Sequence, residues 1–218
     1  MFRQFWQLAA LIGVVFTSLG QNEMDANGKR HGAWSKKFEG TDQVRYTGQF
    51  DHGKEVGVFK YYIKNNPEQP TSTIDYSTNP PTASYFTKDG SLIAFGGIRD
   101  RKRVGEWVTY HKKSTQVMMR ETYDDGALNG KTTTYYPDGK IAETAYYADD
   151  LMNGERIVYA LDGTVLRKLN YKSGELHGEA RYFDPVRKLL IKGNYLNGKK
   201  IGLWTESVDG EELSRKRY

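Results

Sequence analysis

Four histidines, His31, His52, His111 and His177, are the side chains of this chain best suited to hold a metal or move a proton. A metal centre needs histidines and acids that converge at bonding distance. His31 and His177 hold the same place in a recurring motif, and copies far apart in a linear array cannot meet. The histidines therefore read as polar turn residues, and no metal site is expected. Asp124, Asp125, Asp149 and Asp150 are the carboxylates that could pair for acid–base attack on a sugar chain. They too fall in corresponding turns of successive repeats, where Asp forms the turn itself. The chain has no cysteine, so it offers no thiol nucleophile, disulfide or lipoprotein attachment site. No G-x-S-x-G or S-x-x-K motif supplies an activated serine. The recurring Gly-x-x-x-Gly is not followed by Lys-Ser/Thr or by a predicted helix, so it is no phosphate loop. Its polar setting also excludes a transmembrane packing motif. No catalytic residue, metal ligand or cofactor is expected.

Binding chemistry is better represented. Arg99, Arg101, Lys102 and Arg103 crowd one hairpin tip, and Arg215, Lys216 and Arg217 crowd the C-terminus. Either group suits an anionic lipid or another phosphate-rich partner, although Lys and Arg also protect sheet edges. Tyrosine makes up 16 of 218 residues, and Tyr and Trp serve as rigid contact surface as well as core.

These residues are positioned by a fixed beat. Gly32, Gly57, Gly105, Gly130, Gly154, Gly178 and Gly202 each close a segment of the type N-G-K-x-x-G-x-W, at spacings of 25, 48, 25, 24, 24 and 24 residues. The 48 is two periods, with its middle at Pro81. A fixed period of this size marks a repeat architecture. With the glycine as position zero, position −4 is again Gly in five copies (Gly28, Gly53, Gly126, Gly174, Gly198). Position +2 is Trp34, Phe59, Trp107 and Trp204 in four copies, the residues expected to offer contact surface. Position +5 is aromatic in six: Tyr62, Phe86, Tyr110, Tyr135, Tyr159 and Phe183. Position −7 is apolar or aromatic in seven, Phe50 to Tyr195. A second turn signal, Asp-Gly, follows at Asp89, Asp138, Asp162 and Asp209.

Asn-Gly and Asp-Gly are strong hairpin signals, and the stretches between them are rich in Tyr, Thr, Val, Ile and Trp, which suit a pleated surface. No segment after residue 20 has apolar residues at helical spacing. The pattern predicts an all-β chain of about eight tandem 24-residue β-hairpin repeats, forming an elongated, twisted antiparallel meander. Sixteen strands spaced about 4.8 Å apart would extend roughly 75 Å. Positions +2 and +5 differ in parity, so either a bulge intervenes or both faces carry aromatics.

Units such as Y-x-x-G-E-L-H-G-E-A-R-Y-F (Tyr171 to Phe183) and Y-L-N-G-K-K-I-G-L-W (Tyr195 to Trp204) resemble the MORN repeat in its bacterial variant form. The arrangement is also similar to YwqK-type antitoxins of toxin–antitoxin systems. The resemblance covers residues 27 to 210. It implies an interaction scaffold and, in one version, a protein that neutralises a toxin by covering it. The third copy, around residues 63–90, is degenerate: Pro81 replaces the glycine, and Pro67, Pro70 and Pro80 precede it.

Residues 1–20 read as a signal peptide. Arg3 is the only charge, an apolar run follows from Leu8 to Leu19, and Ser18 and Gly20 stand at the small-residue positions before Gln21. Its removal takes the formal net charge from +5 to +4. Residues 21–218 then form the repeat domain. The expected function is a non-catalytic, exported repeat scaffold, periplasmic or extracellular, that binds a protein. The alternative is an envelope module binding anionic lipid or glycan. Export argues against a nucleic-acid partner.

Overall fold

A computed structural model describes residues 21–218; the expected signal peptide, 1–20, lies outside them. The described residues contain strands and turns and no helix. Nineteen strands form one sheet in which every pairing is antiparallel and joins near neighbours along the chain. The expected open meander is what the chain adopts. It runs from the two-residue β1 (Glu23–Met24) to β19 (Glu211–Arg217), which pairs only with β18 (Lys199–Val208).

Each repeat is built by two kinds of turn, one on each rim of the sheet. On the first rim, positions −5 and −4 form two-residue turns with both φ values positive: His52-Gly53 (47° and 88°), Asp125-Gly126 (44° and 93°) and Asn197-Gly198 (48° and 76°). This is the type I′ geometry that matches strand twist. The N–H at −4 also reaches the carbonyl at −2 of the preceding copy, as in Gly53 N to Arg30 O (2.8 Å), Gly126 N to Arg103 O (2.9 Å) and Gly198 N to Leu176 O (2.9 Å). Each turn is thereby stapled to its neighbour. On the second rim Asp89-Gly90, Asp138-Gly139 and Asp162-Gly163 close three-residue turns, with Gly139 N donating to Tyr136 O at 2.9 Å. Asp209-Gly210 departs from these: it is a two-residue turn with φ of 51° and 87°.

The glycine at position zero lies inside a strand. In β8 (Lys102–Tyr110), Trp107 pairs with Gly96 and Val104 with Gly97 of β7 (Leu92–Arg99), leaving Gly105 and Glu106 without partners on β7. Gly105 has φ +67° and open space where a Cβ would stand. Backbone conformation therefore demands glycine there, as at a β-bulge. This bulge precedes +2, so the parity of +2 and +5 is met by the second option, aromatics on both faces. Trp107 and Val108 are adjacent and both buried, so the two faces of the sheet each carry large side chains.

The degenerate copy keeps its place. β5 (Ser72–Asp75) and β6 (Thr82–Phe86) are short and joined by residues 76–81, yet the sheet continues through them.

Candidate interaction surfaces

Position +2 forms the core of one face. Trp107 is fully buried, Phe59 is 2% exposed and Trp204 4%. The opposing strand makes room with glycine: a Cβ on Gly48, Gly96 or Gly193 would fall on the ring of Phe59, Trp107 or Trp204. Where +2 is the small Ala180, the opposing residue is Leu169. Large and small residues thus alternate across the ladder to hold volume constant. The indole N–H of Trp107 donates to Gly97 O (2.9 Å), and that of Trp204 to Asn194 O (3.2 Å). A cation two residues before position zero covers the ring in three copies: Arg30 over Trp34 (5.0 Å), Arg103 over Trp107 (4.3 Å) and Lys200 over Trp204 (4.2 Å). Phe59, Trp107 and Trp204 are therefore interior residues and not the contact surface expected from the sequence; Trp34, at the N-terminal end, is half-buried.

Position −7 packs on the same face. Phe50 meets Phe59 edge-on at 5.2 Å, and Tyr195 meets Trp204 at 5.1 Å. Burial raises the phenol pKa of Tyr123 and Tyr147, with Glu121 and Glu143 adding to it. In the sixth copy +2 is Arg156, whose guanidinium bonds both oxygens of Glu143 (2.9 and 2.7 Å).

Position +5 lies on the other face, with Tyr110 stacked on Phe95 at 6.3 Å. Tyr62, Phe86, Tyr110, Tyr135, Tyr159 and Phe183 are all half-buried. Among the described residues no strand or helix lies over them, because all strands belong to the one sheet.

The basic tip does not act as one patch. Arg103 is held by Tyr123 OH (3.0 Å) and by the Trp107 ring, and Lys102 pairs with Asp125 (2.7 Å). Arg99 and Arg101 are exposed and border an open depression with Tyr61, Tyr76, Pro80 and Pro81. The C-terminal group lies on β19, whose residues are all exposed.

Asp125, Asp149 and Asp150 occupy turn positions with positive φ, and Asp150 Oδ1 accepts from Leu128 N at 2.7 Å. The histidines depart from expectation. His31 and His177 are far apart, but His31 and His52, at different positions of consecutive copies, meet with ring centroids 4.7 Å apart. Asp51 lies beside both, and His52 Nδ1 is 2.6 Å from Asp25 Oδ2.

Residues 128–149 match the MORN repeat variant family. The matched stretch is about one repeat unit, and units in the same phase lie on both sides of it. No curated protein matches the chain. Among solved structures, one of S. aureus TarM in complex with fondaparinux, alpha-GlcNAc-glycerol and UDP is similar, at 12% identity and a TM-score of 0.26. The similarity covers 60% of this chain and 21% of that one, so this chain spans about a fifth of its length and the likeness carries no argument.

Proposed function

We propose that the chain is a non-catalytic exported scaffold that binds a protein along the uncovered face of its sheet. The observation that carries this reading is the row at +5. An aromatic stands half-exposed in six of the eight repeats, on a face that no strand or helix among the described residues covers. Stiff aromatic side chains on a rigid sheet lose little conformational freedom on binding. The match to a MORN repeat variant supports the reading, since such repeats are generally associated with binding proteins or membrane lipids. The apolar run Leu8–Leu19 supports export. In the antitoxin-like version the partner is a toxin that the ribbon masks by lying along it.

The test is recovery of a partner from crosslinked native envelope fractions. Wild-type protein is expected to retain one protein that a Tyr110→Ser, Tyr135→Ser, Tyr159→Ser variant loses at least tenfold. Equal recovery by both proteins, or none above background by either, rejects the proposal. The anionic-lipid alternative rests on Arg99 and Arg101 beside Tyr61 and Tyr76. It predicts cosedimentation with acidic vesicles that fades as salt rises and falls in an Arg99→Ser, Arg101→Ser variant.

A further inference from the structure

The first two repeats bring together four side chains that other copies do not combine. His31 precedes the first position-zero glycine by one residue, and His52 precedes the second by five. The stapled turns place position −1 of one copy beside position −5 of the next. The same relation near the other end brings His177 Nδ1 to 3.3 Å from Asn197 Oδ1. Only at the N-terminal end do two imidazoles occupy the paired positions.

Their hydrogen bonds fix which ring nitrogens carry a lone pair and which a hydrogen. Asp25 Oδ1 accepts from the N–H groups of Asn27 (2.8 Å) and Lys29 (2.9 Å), and its side chain is only 7% exposed. A carboxylate held in this way is an acceptor. The 2.6 Å bond to His52 therefore places the imidazole hydrogen on Nδ1 and a lone pair on Nε2. His31 Nδ1 accepts a long 3.4 Å bond from the His52 backbone N–H, so it carries no hydrogen, and a metal ion would take its single lone pair by displacing that contact. Asp51 Oδ1 lies 3.6 Å from His31 Nδ1 and 3.9 Å from His52 Nε2. The three atoms all lie within 4.8 Å of one another. Two ring nitrogens and a carboxylate oxygen at these separations are within reach of a single cation.

From this geometry we infer that His31 Nδ1, His52 Nε2 and Asp51 Oδ1 form a binding site for a divalent transition-metal ion of the Zn2+ type, with Asp25 orienting His52. Ligand bonds of about 2.0–2.2 Å in a tetrahedral set put ligand atoms roughly 3.4 Å apart. The 3.6 and 3.9 Å separations from Asp51 need only a small contraction, and the third, within 4.8 Å, would be closed by rotating the half-buried His31 and the exposed His52. Two imidazoles and one carboxylate are a donor set for Zn2+, Ni2+ or Cu2+ rather than Ca2+. A carboxylate on the far nitrogen of a ligating histidine is the usual support for such an ion. Three protein ligands leave a fourth position open to water or to a group from a partner.

The test uses the full chain without an affinity tag. Calorimetric titration with ZnCl2 is expected to show one saturable site. His31→Gln and His52→Gln should each weaken it at least tenfold. Asp25→Asn, which keeps a turn acceptor but not the anionic one on His52, should weaken it about 10- to 100-fold. His177→Gln should leave it unchanged. In parallel, 15N spectra of the wild-type imidazoles should show Zn2+ moving His31 Nδ1 and His52 Nε2, with His111 and His177 still; this reading needs no variant to fold. Absence of saturable binding, wild-type affinity in both His31→Gln and His52→Gln, or Zn2+-dependent shifts confined to His111 and His177 would overturn the site.

Discussion

A buried indole in a one-layer sheet has to be roofed by its own strands. Trp107 meets this condition with Gly96 beneath the ring, Arg103 above it, and Ile74, Ile98 and Tyr123 around it. Truncating Trp107 to Ala should therefore cost about 3–5 kcal/mol, and adding one methyl at Gly96 about 1–3 kcal/mol by overpacking. Urea unfolding followed by circular dichroism measures both. The reverse order, or a neutral Gly96→Ala, would mean that the strand can move away from the ring. A second effect at this scale concerns acid. Asp89 accepts hydrogen bonds from Thr87 Oγ1, Ser91 Oγ and Ser91 N, which hold its pKa at about 2, below the usual 3.8. A carboxyl depressed on folding adds stability that is complete above about pH 4 and is lost as pH falls toward 2. Asp89→Asn should flatten the decline of Tm between pH 4 and pH 2 and lower Tm at pH 7. Parallel Tm curves for the two proteins across that range would refute the assignment.

At the scale of the hairpin, the two turn positions set what the chain tolerates. Asp100-Arg101 adopts φ of 49° and 64°, values that suit Gly at the second position. Left-handed backbone costs a non-glycine residue roughly 1–2 kcal/mol, against about 0.5–1 kcal/mol for the extra freedom of glycine when unfolded. Arg101→Gly should accordingly stabilise the protein by about 0.5–1 kcal/mol while removing one of the two exposed cations at that tip. Thermal melts read the first effect and vesicle cosedimentation the second. Much of this level was legible in the sequence. Paired Asn-Gly and Asp-Gly signals at a constant period give hairpins in series, and the beat of glycine gives their number. The role of the beat was less accessible. The glycine at zero looks like a turn residue, yet Gly105 sits in a bulge and the turn belongs to position −4, because a bulge is defined by register with a second strand. For the same reason +2 read as surface. Its burial depends on Gly48, Gly96 and Gly193, nine residues before position zero, and only pairing reveals that they lie beneath the rings. Histidines at equal positions, such as His31 and His177, cannot meet. His31 and His52 meet because stapling sets unequal positions of neighbouring copies side by side.

For the whole molecule the decisive property is serial pairing. Every strand pairs only with strands one or two places away along the chain, so stability is a chain of local terms and not one shared core. The two hydrophobic clusters reflect this: one surrounds Trp107 and the other Trp204, with no buried residue in common. Between them position +2 is Thr132 and Arg156, so the aromatic stripe is interrupted where the array could part. Hydrogen exchange should then be graded along the molecule, fastest at the edge strand β19 and slow in β7 and β8. The Gly96→Ala variant separates this behaviour from that of a cooperative globule. It should strip protection from amides of β7 and β8 while those of β16 (Glu175–Asp184) and β17 (Leu189–Leu196) keep theirs, since the damage must cross the interrupted stretch to reach them. A uniform loss of protection across both regions would show that the copies fold as one unit.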